Sequence, residues 1–292
     1  MCCAWINKGE VKSLGFWVFL SLSVTLGGCV STPEQYIAQQ AEAYGFIHKV
    51  VRGNRFSHIV YLNYVTSHSK VLHVYLEGDG LPWLRGRIVA ADPTPRNPLM
   101  LRLMAWDDEP SVYLGRPCYH GLADETPCKP ELWTHGRYSD TVLTSMAAAL
   151  KRLLYDSSFE NLALFGYSGG GTLAMLLAGR FPQTHTVVTL AGNLDPDAWT
   201  RLHGYAPLRT SLNPTRQAPL KPGIRQFHFA GGQDRNVPAE MILTAVAHQH
   251  DARFKIIAQF DHRCCWEQLW PSVLKFIAGG AWPDYANTQC QQ

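Results

Sequence analysis

The chain has 292 residues, 46% of them hydrophobic, enough for one globular domain of generous size. Its formal net charge is +3, only 17% of residues are charged, and no long run of one sign occurs, which excludes an electrostatic footprint for nucleic acid. No CxxC pair is present and the histidines are scattered, so no metal site is expected.

At the start, Lys8 and Lys12 precede an apolar stretch at 14–26, too short to span a bilayer comfortably as a permanent helix. It ends in Leu26-Gly27-Gly28-Cys29. Behind a charged start and an apolar core, those four residues resemble the lipobox of bacterial lipoproteins. The resemblance implies cleavage after Gly28 and a lipid on the Cys29 sulfur, hence a membrane attachment; an uncleaved anchor helix is the alternative. Val30 stands where lipoproteins kept in the inner membrane often carry Asp. The implied location is therefore the cell envelope, on the outer membrane facing the periplasm in a Gram-negative organism.

Residues 1–28 are thus expected to be a leader, 29–44 a polar tether with a short amphipathic stretch, and 45–292 the folded domain. Losing the leader removes Lys8, Lys12 and Glu10 and leaves a formal charge of +2. Cys118, Cys128, Cys264, Cys265 and Cys290 then face an oxidising compartment. Cys118 and Cys128 flank a loop rich in Gly, Pro and polar residues and are expected to pair. One of Cys264 and Cys265 is a partner for Cys290; a disulfide between the two adjacent cysteines would be strained, and one thiol of the five should stay free.

Along the domain, strands and helices alternate. Strands are expected at 56–65, 71–76, 111–114, 162–165, 186–191, 224–230 and 254–260, from period-two alternation or short β-branched and apolar runs. Helices are expected at 139–154, 169–179, 239–248 and 266–277. Strands separated by such helices predict an α/β fold, a mainly parallel twisted sheet covered on both faces. The proline-rich stretch 193–222 reads as a small lid, and 81–110 and 115–137 as long insertions.

Gly-Tyr-Ser-Gly-Gly occupies 166–170, with a strand running into it and a helix running out. A serine at that bend presents its hydroxyl above the sheet edge, and the steep turn demands small neighbours, which accounts for Gly166 and Gly170. The Gly169 N–H, at a helix N-terminus, is a donor for an oxyanion. A serine hydroxyl needs a base held in one tautomer. The strand 224–230 leads to Gly231-Gly232-Gln233-Asp234, and the strand 254–260 leads to Asp261-His262, so an acid and then a histidine follow on later strand exits.

With these residues the chain resembles the α/β-hydrolase superfamily over about 56–277. The resemblance implies the α/β-hydrolase fold, Ser168 as nucleophile, Asp234 as orienting acid and His262 as general base. Asp195 is an alternative acid, since a few members place it after the preceding strand. A second oxyanion donor is expected from the turn Glu77-Gly78-Asp79-Gly80, through the N–H of Asp79 or Gly80. Many relatives have His-Gly there; Glu77 stands in the His place, and the Asp79 carboxylate should point away from a developing negative charge.

The implied reaction is cleavage of an ester or similar acyl bond in a small-molecule or lipid-like substrate, through an acyl-enzyme. The same triad also serves amide and peptide bonds. A rival of another class is a hydrolase-like fold without turnover, acting as an envelope binding or assembly lipoprotein. Trp83, Trp106, Trp133, Trp199 and Trp266 enrich the loops in aromatics that could line an acyl pocket. No Walker or Rossmann glycine pattern occurs, so no cofactor is assigned.

Overall fold

The computed structural model describes residues 31–281 apart from 66–68 and 156. The expected leader, Cys29 and Cys290 lie outside the described residues.

Most of the expected tether is folded. Pro33–Ala43 form helix α1, opened by Pro33 at its first turn and a capping box between Thr32 and Gln35. Ile37 and Ala41, four apart and so on one face, are buried.

The main sheet has eight strands: β1 (Ile47–Arg52), β2 (Ser57–Asn63), β3 (Val71–Leu76), β6 (Ser111–Leu114), β7 (Asn161–Tyr167), β8 (Thr184–Leu190), β9 (Arg225–Gly231) and β10 (Ala252–Ile257). Their spatial order is β1-β2-β6-β3-β7-β8-β9-β10. Pairings β1–β2 and β2–β6 are antiparallel, and every later pairing is parallel. A two-stranded hairpin, β4 (Trp83–Leu84) with β5 (Ile88–Val89), stands apart from it.

The period of two splits the core into two layers. Leu72, Val74, Leu162 and Leu164 face α3 (Asp140–Tyr155), α4 (Gly169–Ala178) and α6 (Ala239–Val246). Tyr75, Ala163 and Phe165 face α1, α2 (Leu99–Met104) and α7 (Trp266–Ile277). The central strands are buried on both faces, which is why β7 reads as an apolar run and β8 as a β-branched one rather than as clean alternations. All ten residues of α4 are buried, so the helix after the serine is locked between the sheet and its neighbours.

The stretch 193–222 holds α5 (Pro196–His203) and a short 3-10 turn at Pro214–Arg216. Cys118 and Cys128 form the expected disulfide, with Cα atoms 5.6 Å apart. Cys264 and Cys265 do not wait for Cys290: they are bonded to each other. The left-handed backbone of Cys265 (φ 75°), at the N-cap of α7, turns the two sulfurs together.

Candidate active site

Ser168 sits between β7 and α4 at φ 52°, ψ −120°, a region an L residue enters only when its surroundings enforce it. Those surroundings are visible. Its N–H donates to the Leu190 carbonyl at 3.0 Å, and its own carbonyl accepts from Asn193 and Gly171, each at 2.9 Å. A Cβ on Gly166 would collide with the Gly170 carbonyl, and one on Gly170 with the Leu76 carbonyl. The glycines are therefore part of the bend itself.

His262 comes from the turn after β10. Its carbonyl is held from two sides, by Tyr167 Oη at 2.9 Å and Trp266 Nε1 at 3.0 Å. Its Nε2 is 3.0 Å from Ser168 Oγ and its Nδ1 2.8 Å from Asp234 Oδ2. With the Asp234 side chain fully buried, Nδ1–H donates to the carboxylate and Nε2 is left to accept from the serine hydroxyl. The other carboxylate oxygen, Oδ1, accepts from the Asn236 and Val237 N–H groups, both at 2.8 Å, so Asp234 is anchored by its own turn.

The alternative acid lies elsewhere. Asp195 caps α5, its Oδ1 accepting from Ala198 N at 3.1 Å and from Asn213 Nδ2 at 2.7 Å. Asp261 turns back on its own loop, accepting from the N–H groups of Arg263 and Cys264.

The turn after β3 lies against the serine: a Cβ on Gly78 would stand 3.6 Å from Ser168 Cβ. Gly78 N–H is taken by its neighbour's Glu77 Oε1 at 3.0 Å, and Glu77 Oε2 accepts from Met100 N at 2.9 Å. The Asp79 and Glu77 carbonyls are held by Tyr119 Oη at 3.0 Å and Arg116 Nη2 at 3.1 Å. Gly80 has φ 66°, and a side chain there would strike the Pro93 carbonyl. With Gly78 engaged, the N–H groups of Asp79 and Gly80 are what this turn offers a developing oxyanion. Gly169, the first residue of α4, has an N–H with no acceptor inside its helix.

The Asp79 carboxylate is clasped by Arg116 and Arg137, each at 2.9 Å, and by Tyr138 Oη. Burial alone would raise this carboxyl; the two guanidinium groups outweigh it and hold Asp79 below the usual range. At Glu77 the balance is opposite. Burial pushes the carboxyl up to about 7, only partly offset by the Gly78 and Met100 N–H groups and by Arg102 and Arg116.

Ser168 and His262 open onto a cleft of about 970 Å3. Trp83 of the hairpin and Trp199, Tyr205 and Leu208 of the 193–222 segment line it. Trp133 and Trp266 are instead buried in packing, and Trp106 is exposed away from the cleft.

Several residues in or behind the cleft were not visible in the sequence. Arg116, Arg137 and Tyr138 follow no motif and reach the site only through the fold. Asn236 is another: its Nδ2 lies 2.9 Å from His262 Nε2, and Trp199 Nε1 donates to its Oδ1 at 3.3 Å. It thereby ties α5 to the histidine.

The fold, a mainly parallel eight-stranded sheet with helices on both faces, has counterparts among solved structures. A candidate lipase from Acinetobacter baumannii AYE superposes with a TM-score of 0.58 at 13% identity, over 85% of this chain and 96% of that one. An esterase from Pyrococcus furiosus gives 0.57 at 13%, over 82% and 91%. A candidate hydrolase from Agrobacterium vitis S4 gives 0.56 at 15%, over 80% and 98%. The chain has the α/β-hydrolase fold. No protein-family model matches it, and no curated protein matches it in sequence. Within the α/β-hydrolase fold, the long 81–110 and 193–222 segments are the parts that build the cleft walls.

Proposed function

We propose that this protein is a serine hydrolase that cleaves carboxylic esters through an acyl-enzyme. One observation carries the reading: an unbroken hydrogen-bonded line from Ser168 Oγ through the His262 ring to a fully buried Asp234, at the wall of an open cleft. Ser168 Oγ attacks the ester carbonyl carbon while its proton passes to His262 Nε2. Asp234 holds the ring in the required tautomer and stabilises the imidazolium. The carbonyl oxygen, now negative, takes the Gly169 N–H and an N–H from Asp79 or Gly80. Collapse of this intermediate breaks the bond to the alcohol oxygen, which leaves with the proton from His262. Water, deprotonated by the same nitrogen, then releases the acid and returns the proton to Ser168.

The test is covalent labelling with a fluorophosphonate, beside Ser168→Ala and His262→Ala. Wild-type protein should label and turn over 4-nitrophenyl esters. Both variants should lose labelling, and turnover should fall by about 10^4 or more. A folded wild-type protein that neither labels nor cleaves any ester would leave the fold without this activity.

A further inference from the structure

The cleft carries an uneven set of charges. Its only carboxylates among the lining residues are Glu77 and Asp79. Both Glu77 oxygens are occupied by backbone N–H groups, and Asp79 is enclosed by Arg116, Arg137 and Tyr138. Two guanidinium groups share that one carboxylate, and the Tyr138 hydroxyl is pushed well above its ordinary value by burial and by Asp79, so it stays neutral. Behind Gly169 lie the Asp79 carboxylate and the Tyr138 hydroxyl, and the two guanidinium groups beyond them carry one positive charge more than Asp79 alone balances, where little water screens it.

Arg137 points this excess at the cleft. Only 4% exposed, it donates from Nε to the Thr134 carbonyl at 2.7 Å and from Nη1 to Asp79 Oδ2 at 2.9 Å, yet it belongs to the cleft lining. Among the described residues nothing accepts from its Nη2. At the mouth stand Arg96, on the long insertion after β3, and Arg263, next to the histidine. Both are exposed, and neither has an ion-pair partner among the described residues. Trp83 against His135 at 5.9 Å, and Trp199 against Tyr205 at 5.2 Å, supply flat apolar walls between these cations.

We propose that the preferred substrate is an ester bearing a negatively charged group, received by Arg137 within the cleft and by Arg96 and Arg263 at its mouth. The anion offers the acceptor that Arg137 Nη2 lacks, and the rim arginines draw it in before the reacting carbonyl meets Ser168. A neutral ester gains neither contact. A cationic one meets like charges at entry and the Arg137 guanidinium at depth. This inference rests on the hydrolase reading, which turnover of neutral esters tests separately.

The charge can sit on either side of the scissile bond, so two matched pairs are needed. Mono-4-nitrophenyl glutarate against 4-nitrophenyl valerate places it on the acyl side. 4-Acetoxybenzoate against 4-methylphenyl acetate places it on the alcohol side. In at least one pair, kcat/KM at low salt should favour the anionic ester by about tenfold, and the preference should shrink as salt rises. Arg96→Gln combined with Arg263→Gln, two exposed positions, should cut that preference several-fold, with kcat/KM for the anionic ester falling further than kcat/KM for its neutral partner. A preference at or below one in both pairs overturns the proposal, as does one that the double substitution leaves unaltered. Loss of turnover on all four esters together with loss of labelling would instead remove the hydrolase reading beneath it.

Discussion

Two aspartates follow consecutive strands of this chain, and the surroundings of each assign it different work. Asp234 has one oxygen on its own turn and the other on His262 Nδ1, while Asp195 spends its Oδ1 on the start of α5 and on Asn213. Asp234→Asn should therefore leave the fold in place and lower kcat by about 10^3–10^4, because the amide no longer favours the tautomer that leaves Nε2 unprotonated. Asp195→Ala should leave kcat unchanged and cost about 1–2 kcal/mol of stability through the lost helix cap, read by denaturant unfolding. The sequence made Ser168, Asp234 and His262 legible because each sits in a short local pattern at a strand exit. Arg137 and Asn236 were hidden, since their relation to the site spans 58 residues to Asp79 and 26 to His262 and is created only by folding.

Among the elements, the serine bend is the most tightly specified. A methyl group on Gly170 would meet the Leu76 carbonyl, which belongs to a buried strand and has nowhere to move. Gly179, just past α4, stands at φ −68° with nothing nearer to an added Cβ than Leu220 Cδ2 at 4.0 Å. Gly170→Ala should cost about 3 kcal/mol, whereas Gly179→Ala should be neutral or stabilising by about 0.5 kcal/mol, compared by equilibrium unfolding. The strands β3, β6, β7, β8 and β9 were readable from alternation or from short β-branched and apolar runs, because their side chains are buried. β1 was not, since most of its residues are exposed and no buried stripe marks it. α1 showed as a short amphipathic stretch, yet its two buried side chains gave too little signal to separate a docked helix from a tether. β10 ends at Ile257 rather than 260, because the chain must turn early to bring His262 over the sheet.

At the scale of the whole molecule, buried ionisable groups set how stability follows pH. Burial lowers His58 and His120 to about 4 and His228 to about 3. Between those values and 6.5 the unfolded chain binds protons that the folded one refuses, so these three groups make stability fall as pH drops through that window. Glu77 works the other way. Folded, it keeps its proton up to about 7, whereas unfolded it would lose it near 4.5, so its contribution falls as pH rises between those values. Three groups against one give a lower Tm at pH 5 than at pH 7 in calorimetry. Glu77→Gln removes the opposing contribution and should steepen that drop.

The order of the sheet has one more consequence. Among the described residues its outermost strands, β1 and β10, each have a neighbouring strand on one side only. Such margins are templates on which another copy could add itself. Here Lys49 and Arg52 stand along β1. Charged side chains of this kind discourage edge-to-edge pairing along that margin.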